Sequence, residues 1–350
     1  MTVEKITAVT VTYGDRSELC IQTVRRAIEA GAESAVIVLN GVGTSARQSL
    51  QSFVENDRQI SIVFSESNEG SAAGFSLGIA RAIEDSADFI WLLDDDNFAE
   101  ADALKSLFET YNHVCKSYQR SSIAICALRA SNAVHNLVAS GVPPGLAYPR
   151  PGSFVYLDLI QRLRRRSDRK SRTHSGAIEV PYAPYGGLLF HRTSVSNVGY
   201  PNGVLVLYED DTEFTSRFRL HGGGVFLAPG AVISDGDDKW TRIGSGRGPE
   251  RLITAGNRTR LHYSLRNRAF FDIRRATSTS QRCSLALNGL VFIGYLVGSG
   301  VLKRKFRELA IALCALWQGA TGDFRSSPAL QQSRDFEVTD TAVSDRSPNA

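Results

Sequence analysis

Three consecutive carboxylates, Asp94-Asp95-Asp96, follow directly on the apolar run FIWLL of residues 89–93. Carboxylates this close repel one another unless a cation lies among them. In an extended segment side chains i and i+2 point the same way, so Asp94 and Asp96 can grip one ion. Hard oxygen donors suit Mg2+ or Mn2+, ions that usually bridge to substrate phosphates. The plainer alternative is a solvated acidic loop that caps the next helix. A second cluster, Glu209-Asp210-Asp211-Thr212-Glu213, follows VLVLY. Acids suit a helix N-terminus, which accounts for one or two of these but not all four. A carboxylate here can instead take a proton from a hydroxyl nucleophile. Asp235, with Asp237 and Asp238, follows VFLAPGAVIS and offers either another oxygen ligand or a turn. Gly70, Gly74 and Gly78 fall at a spacing of four within NEGSAAGFSLG. They either admit a diphosphate at a helix N-terminus or pack a helix closely on a sheet. Three acidic clusters at strand ends together suggest a metal, a phosphate-bearing substrate and a base.

The elements that must position these residues alternate. Ile6–Thr12, Ala35–Leu39, Ile60–Phe64, Phe89–Leu93 and Ile123–Leu128 read as buried strands. Helical spacing falls between them, at Glu18–Ala30, Ser45–Glu55, Ser71–Glu84 and Asp102–Tyr118. This rhythm predicts a parallel sheet covered on both faces. Residues 129–185 are rich in proline and read as irregular. Short strands and a helix at Thr212–His221 follow, and residues 257–320 are helical and increasingly apolar. The polar tail, 326–350, reads as disordered.

The 350 residues are 43% hydrophobic and 22% charged, which excludes a wholly disordered or collagen-like chain. Five cysteines without a CxxC pair argue against a disulfide framework or zinc knuckle and fit a reducing compartment. The net charge of +4 is local: residues 162–172 hold seven basic side chains and one acid. That run is either a solvated loop or a contact for anionic lipid headgroups or a lipid-linked diphosphate. Nucleic acid is disfavoured, because no aromatic residues interleave with the arginines. Residues 283–302 carry no charge and are flanked by Arg282 and Lys303-Arg304-Lys305. Glycines, serines and Asn288 favour a packed or interfacial helix over a spanning one. Peripheral attachment to the cytoplasmic face of a membrane is the expectation.

The order of motifs resembles the family 2 glycosyltransferases with the GT-A fold, nearest the bacterial rhamnosyl- and galactofuranosyltransferase branch. The matching stretches are VTVTYGDR (9–16), IVLNG (37–41), NEGSAAGFSLGIARA (68–82), WLLDDDN (91–97), YGGLLFHRTSVSNVGYP (185–201), LYEDDTEFTSRFRLHG (207–222) and YSLRN (263–267). The resemblance implies an α/β fold: a Rossmann-like, mostly parallel central sheet flanked by helices, with a C-terminal helical extension. Residues 1–128 would form the nucleotide-sugar half and 129–256 the acceptor and catalytic half of one domain. Residues 257–325 would form the extension. Thr12, Tyr13 and Arg16 would line the base and ribose pocket, with Asn40 beside it. Asn68, Gly70 and Gly74 would face the donor diphosphate, and Asp95 the sugar or ribose. Asp94, Asp96 and Asp235 would hold Mn2+ or Mg2+. Asp211 would be the general base and Asp210 would position the acceptor, with Gly186 and Gly187 in the acceptor-side loop. The implied reaction is inverting transfer from a nucleoside-diphosphate sugar to a hydroxyl of a glycan or lipid-linked glycan, as in cell-surface polysaccharide assembly. Two departures stand out: Leu39-Asn40 replaces a frequent Asp-Asn pair, and Asp235 stands where some members have histidine. A sugar nucleotidyltransferase needs a similar set of acids, but VTYGDRSEL holds only Gly14 where its phosphate loop should lie. A non-catalytic glycan-binding or scaffold protein is the third reading, disfavoured by the intact DDD and EDDTEF sets.

Overall fold

The computed structural model describes residues 4–55, 57–164, 176–236 and 257–324. Strands β1 (Ile6–Gly14), β2 (Ser34–Val42), β3 (Ile60–Ser65) and β4 (Phe89–Asp94) alternate with helices α1 (Ser17–Glu29), α2 (Thr44–Val54) and α3 (Ser71–Glu84). Then come β5 (Asn97–Ala99), α4 (Ala103–Val114) and β6 (Ile123–Arg129). Short helices α5 (Ala133–Ala139), α6 (Pro144–Ala147) and α7 (Leu159–Arg164) follow, where irregular chain was expected. Asn132 starts α5 by accepting from the N–H groups of Val134 and His135, a cap that a proline-dominated reading overlooks. Strands β7 (Ile178–Val180) and β8 (Leu188–His191), helices α8 (Ser194–Val198) and α9 (Asp210–Leu220), and strand β9 (Gly224–Asp235) complete the sheet region. Helices α10 (Arg258–Arg275), α11 (Thr279–Leu302) and α12 (Phe306–Thr321) end the described chain.

Among the described residues, all nine strands join one sheet, in the order β3-β2-β1-β4-β8-β6-β9-β5, with β7 also on β9. The β1–β2, β1–β4, β2–β3 and β6–β9 pairings are parallel. Those of β8 with β4 and β6, and of β5 and β7 with β9, are antiparallel. The sheet is therefore mixed, not mostly parallel as expected. Strand β8 arrives from a loop-rich stretch, without the helical crossover that forces a strand parallel.

Strand periodicity sorts the core into two faces. Ala8, Ile37, Leu39, Trp91 and Leu93 pack beneath α1 and α4, against Val24 and Leu107. Val9, Val11, Val36, Val38, Ile90 and Leu92 pack beneath α3 and α9, against Ile79 and Phe214. Fully burying a side chain of this size contributes about 1.5–3 kcal/mol. A third cluster joins α10, α11 and α12 through Leu265, Leu296 and Leu316. A capping box starts α11: Gln281 N donates to Ser278 Oγ, and Ser278 N donates to Gln281 Oε1. Because β1, β2 and β4 run the same way, Thr12, Asn40 and Asp94 all emerge at one edge, where open α/β sheets hold their ligands. The tail 326–350, Asp237 and Asp238, and all of 162–172 beyond the end of α7 lie outside the described residues.

Candidate active site

The acidic turn after β4 is held from three sides. Asp94 N donates to Asn97 Oδ1 (3.0 Å), which folds the turn back into β5. Asp95 is buried. Its Oδ2 accepts from Thr12 Oγ1 (2.8 Å), and Arg16 grips it through Nε and Nη2 at 2.9–3.0 Å. Arg16 also reaches Asp96 Oδ2 (3.0 Å) and lies over the Tyr13 ring. Thr12, Tyr13, Arg16, Asp95 and Asp96 therefore form one cluster. Its chemistry differs among the acids. Asp95 is occupied by protein donors, whereas burial and the charges of Asp94 and Asp95 raise the Asp96 carboxyl to about 6. Asp96 Oδ2 is paired with Arg16 and Asp94 Oδ2 with Arg129, and a divalent cation suits such closely set carboxylates where it shares or replaces those guanidinium partners.

The expected third ligand does not join them. Arg129, at the end of β6, bridges Asp94 Oδ2 (2.7 Å) and Asp235 Oδ1 (2.6 Å). Asp235 also meets Ser131 and Asn97. Among the described residues no three His, Cys, Asp or Glu side chains converge on a metal position. In this structure Asp235 is a partner of Arg129, the same cation that pairs with Asp94. The sequence offered one signal for Arg129, a cation directly after a buried strand.

The glycines divide. Gly70 has φ +89°, and an added Cβ would stand 2.1 Å from Val206 O. It is needed because the segment before α9 touches the start of α3, not because open space lies there. A Cβ on Gly74 would stand 2.5 Å from Val11 Cγ1, and one on Gly78 2.4 Å from Val9 Cγ1. These two let α3 lie close on β1. Asn40 braces the turn: its Nδ2 donates to Asn68 Oδ1 (3.2 Å) and Gly70 O (3.0 Å), and its Oδ1 accepts from Glu69 N (3.0 Å). Gly186 packs where a Cβ would meet Asn97, Asp94 and Arg129, and Gly187 is buried beside Ala127. Both serve the sheet and the acidic turn; neither lines the cavity described below.

The four acids at α9 separate by partner. Glu209 pairs with Arg268 (2.9 Å), and Glu213 with Arg217 one turn on. Asp210 is buried and accepts from Ser71 Oγ (2.7 Å), which places a carboxylate against the N-terminus of α3. The Asp211 carboxylate accepts the N–H of its neighbour Thr212 (2.6 Å) and lies in the wall of a cavity of about 420 Å³. Burial, then the charges of Asp210 and Glu209, raise its carboxyl well above the usual range. A raised carboxylate is a stronger proton acceptor once ionised.

The segment leading to this helix is strained and clamped. Val206, Tyr208 and Glu209 have φ of 64°, 65° and 62°, conformations that each cost about 1–3 kcal/mol in non-glycine residues. Three neighbours on α10 hold them. Arg266 Nη2 donates to the carbonyls of Val204 and Leu205. Asn267 Nδ2 reaches the carbonyls of Leu205, Leu207 and Tyr208, each at 2.8 Å. Arg268, fully buried, pairs with Glu209 and Asp272 and lies 4.1 Å from the Tyr156 ring centroid. Tyr156 also bonds Glu209 through its hydroxyl. YSLRN (263–267) was visible as a motif, but no role for Arg266 or Asn267, or for Arg268 directly after it, was legible there.

A mixed central sheet flanked by helices, with an acidic turn at the end of its fourth strand, is the GT-A architecture. One solved structure of this fold is that of GalNAc-T7 with UDP, GalNAc and Mn2+, with a TM-score of 0.50 and 14% identity over 71% of this chain and 47% of that one. Residues 7–140 match the family model "Glycosyl transferase family 2". Galactofuranosyltransferase GlfT1 of Mycolicibacterium smegmatis is 28% identical over 210 residues, 59% of this chain and 63% of the relative. That of Mycobacterium tuberculosis is 26% identical over 189 residues, 52% of this chain and 55% of the relative. The chain thus spans less than two thirds of the length of these relatives.

Proposed function

We propose that the protein is an inverting, metal-dependent glycosyltransferase. It moves a sugar, of galactofuranosyl or rhamnosyl type, from a nucleoside-diphosphate donor to a hydroxyl of a glycan or lipid-linked glycan. The observation that carries this reading is the position of Asp211 in a cavity wall, while Asp94 lies near enough for its charge to raise that carboxyl. Donor-side acids and acceptor-side base are thus neighbours.

Asp94 and Asp96 would hold the Mn2+ or Mg2+, which supplies positive charge to the departing diphosphate. The chain's own residues do the rest. Thr12 and Arg16 fix Asp95, and so the turn that carries Asp96. Asp211 accepts the acceptor's hydroxyl proton as the oxygen bonds to the anomeric carbon. The bond from that carbon to the diphosphate oxygen breaks, and the nucleoside diphosphate leaves with its electron pair. A single displacement inverts the anomeric configuration. Asp210, held by Ser71, keeps the start of α9 in place.

A thermal-shift screen of nucleoside-diphosphate sugars with and without Mn2+ tests this. Saturation at about 100 times Kd adds about 2.7 kcal/mol, a rise of roughly 3–5 °C for a chain of this size. The rise is expected only with metal and only in the wild type, and Asp96→Asn should abolish it. Donor binding indifferent to both metal and Asp96 would remove the metal assignment.

We also propose that the protein lies on the inner, cytoplasmic face of a membrane. Helix α11 is long and apolar enough to cross one by length and composition, yet Asn288 on it is buried and bonds Gly152 O (2.8 Å). Leu290, Val291, Tyr295 and Leu302 remain exposed above the basic turn Lys303-Arg304-Lys305. Apolar side chains beside basic ones suit an anionic interface. Co-flotation with phosphatidylglycerol vesicles at low salt is expected. Replacing all three basic residues by glutamine should reduce it severalfold, and equal flotation with neutral vesicles would count against the idea.

A further inference from the structure

Two arginines clamp the acidic turn in the same way. Arg16 is anchored on Asp95 through Nε and Nη2, and lends Nη2 to Asp96 Oδ2 (3.0 Å). Arg129 is anchored on Asp235 through Nε (2.6 Å), and lends Nη1 to Asp94 Oδ2 (2.7 Å). Each guanidinium thus holds one carboxylate outside the proposed metal pair and one within it. The two ends of Arg129 differ. Asp235 is itself fixed by Ser131 and Asn97, and its side chain is 10% exposed, against 35% for Asp94. The Asp94 contact is the accessible one. Gly186 leaves room for it, since a Cβ there would stand 2.9 Å from Asp94 Oδ2 and 3.1 Å from Arg129 Nη1.

The charges of this cluster do not balance. Four carboxylates, Asp94, Asp95, Asp96 and Asp235, meet two guanidinium groups, which leaves two negative charges. One divalent cation makes up that difference, so the residues present fit such an ion. A cation on Asp94 repels a guanidinium held by the same carboxylate. The contact that gives way is the exposed one at Nη1, while Nε keeps its buried partner.

We propose that Arg129 is a built-in counter-ion for Asp94, which it yields to the divalent cation while it keeps Asp235. The proposal rests on the metal-dependent reading and adds how the cation site is regulated. Arg129 holds the acids in place between turnovers and lowers the affinity of the protein alone for metal. Cation binding is thereby tied to a donor whose diphosphate brings further oxygen ligands.

Two measurements on the protein without donor test it. Mn2+ binding, read from the EPR signal of the free ion, should tighten about tenfold in Arg129→Gln, because a competing positive charge is gone. Arg129→Lys keeps the charge but loses the fork, and its affinity should fall between those of wild type and Arg129→Gln. It also serves where glutamine leaves Asp235 too poorly paired to fold. In the wild type, a Mg2+ titration followed by NMR of the arginine side-chain nitrogens should move the Arg129 Nη signals and leave Nε in place. The Arg129→Lys spectrum assigns those signals. Equal Mn2+ affinity in wild type and both variants, or Arg129 signals unmoved at saturating Mg2+, overturns the proposal and leaves the metal assignment standing. Cation binding by none of the three proteins would remove the metal assignment, and this role of Arg129 with it.

Discussion

Asp211→Asn is expected to lower sugar transfer by about 10²–10⁴-fold while donor affinity stays within twofold. The substitution keeps the shape of the side chain and removes its ability to accept a proton. Of the four acids at α9, three have partners that account for them: Arg268 for Glu209, Ser71 for Asp210 and Arg217 for Glu213. Only Asp211 opens on the cavity. The pH dependence carries a second signature. A base must be ionised, so activity rises as pH passes its pKa, and here that limb lies above the ordinary carboxylate range. Asp210 contributes to the rise, so Asp210→Asn should shift the limb to lower pH. Single-turnover rates across pH 5–8 report both effects. Full activity in Asp211→Asn would end the assignment of this residue as base.

Arg268→Met is the second large effect. Its guanidinium is fully buried between Glu209 and Asp272. Removing it leaves two carboxylates facing each other in a protein interior, a loss of about 3–5 kcal/mol. The strained backbone at Val206, Tyr208 and Glu209 loses one of its three holders at the same time. Urea unfolding should show the stability loss, and the folded fraction should transfer sugar poorly because the start of α9 is no longer fixed. Adding Glu209→Gln and Asp272→Asn to the variant should recover part of the stability, since the stranded charges are gone, but little of the rate. A variant as stable as the wild type would show that the buried pair is dispensable.

The parallel half of the sheet was legible because β-branched runs and amphipathic helices alternate at a regular pitch; Ser71–Glu84 matches helix α3 residue for residue. The acidic turn was legible because three carboxylates at a strand end have few bland explanations. Other features were hidden for physical reasons. Strand β8 has four residues, too few for a period, so its antiparallel course left no trace. The spacing of Gly70, Gly74 and Gly78 was plain, but phosphate contact and close packing use the same spacing. Only the positions of Val206, Val11 and Val9 decide between them. Helix α10 is rich in polar and charged residues, yet Arg266, Asn267, Arg268 and Asp272 are buried. Whether a polar side chain finds its partner inside is a tertiary fact that periodicity does not encode.

The short β8 has a consequence for where this chain can be divided. It alone occupies the outer edge of β4 and the inner edge of β6. The family-matched stretch stops at residue 140, before β8 and β9. A boundary drawn there would leave β4 with a bare edge and β6 with no neighbour in the sheet at all. Rows of unsatisfied N–H and C=O groups of that kind recruit other chains. The family-matched stretch is thus not a self-contained unit: its sheet is sealed by a four-residue strand supplied from the half that also carries Asp211.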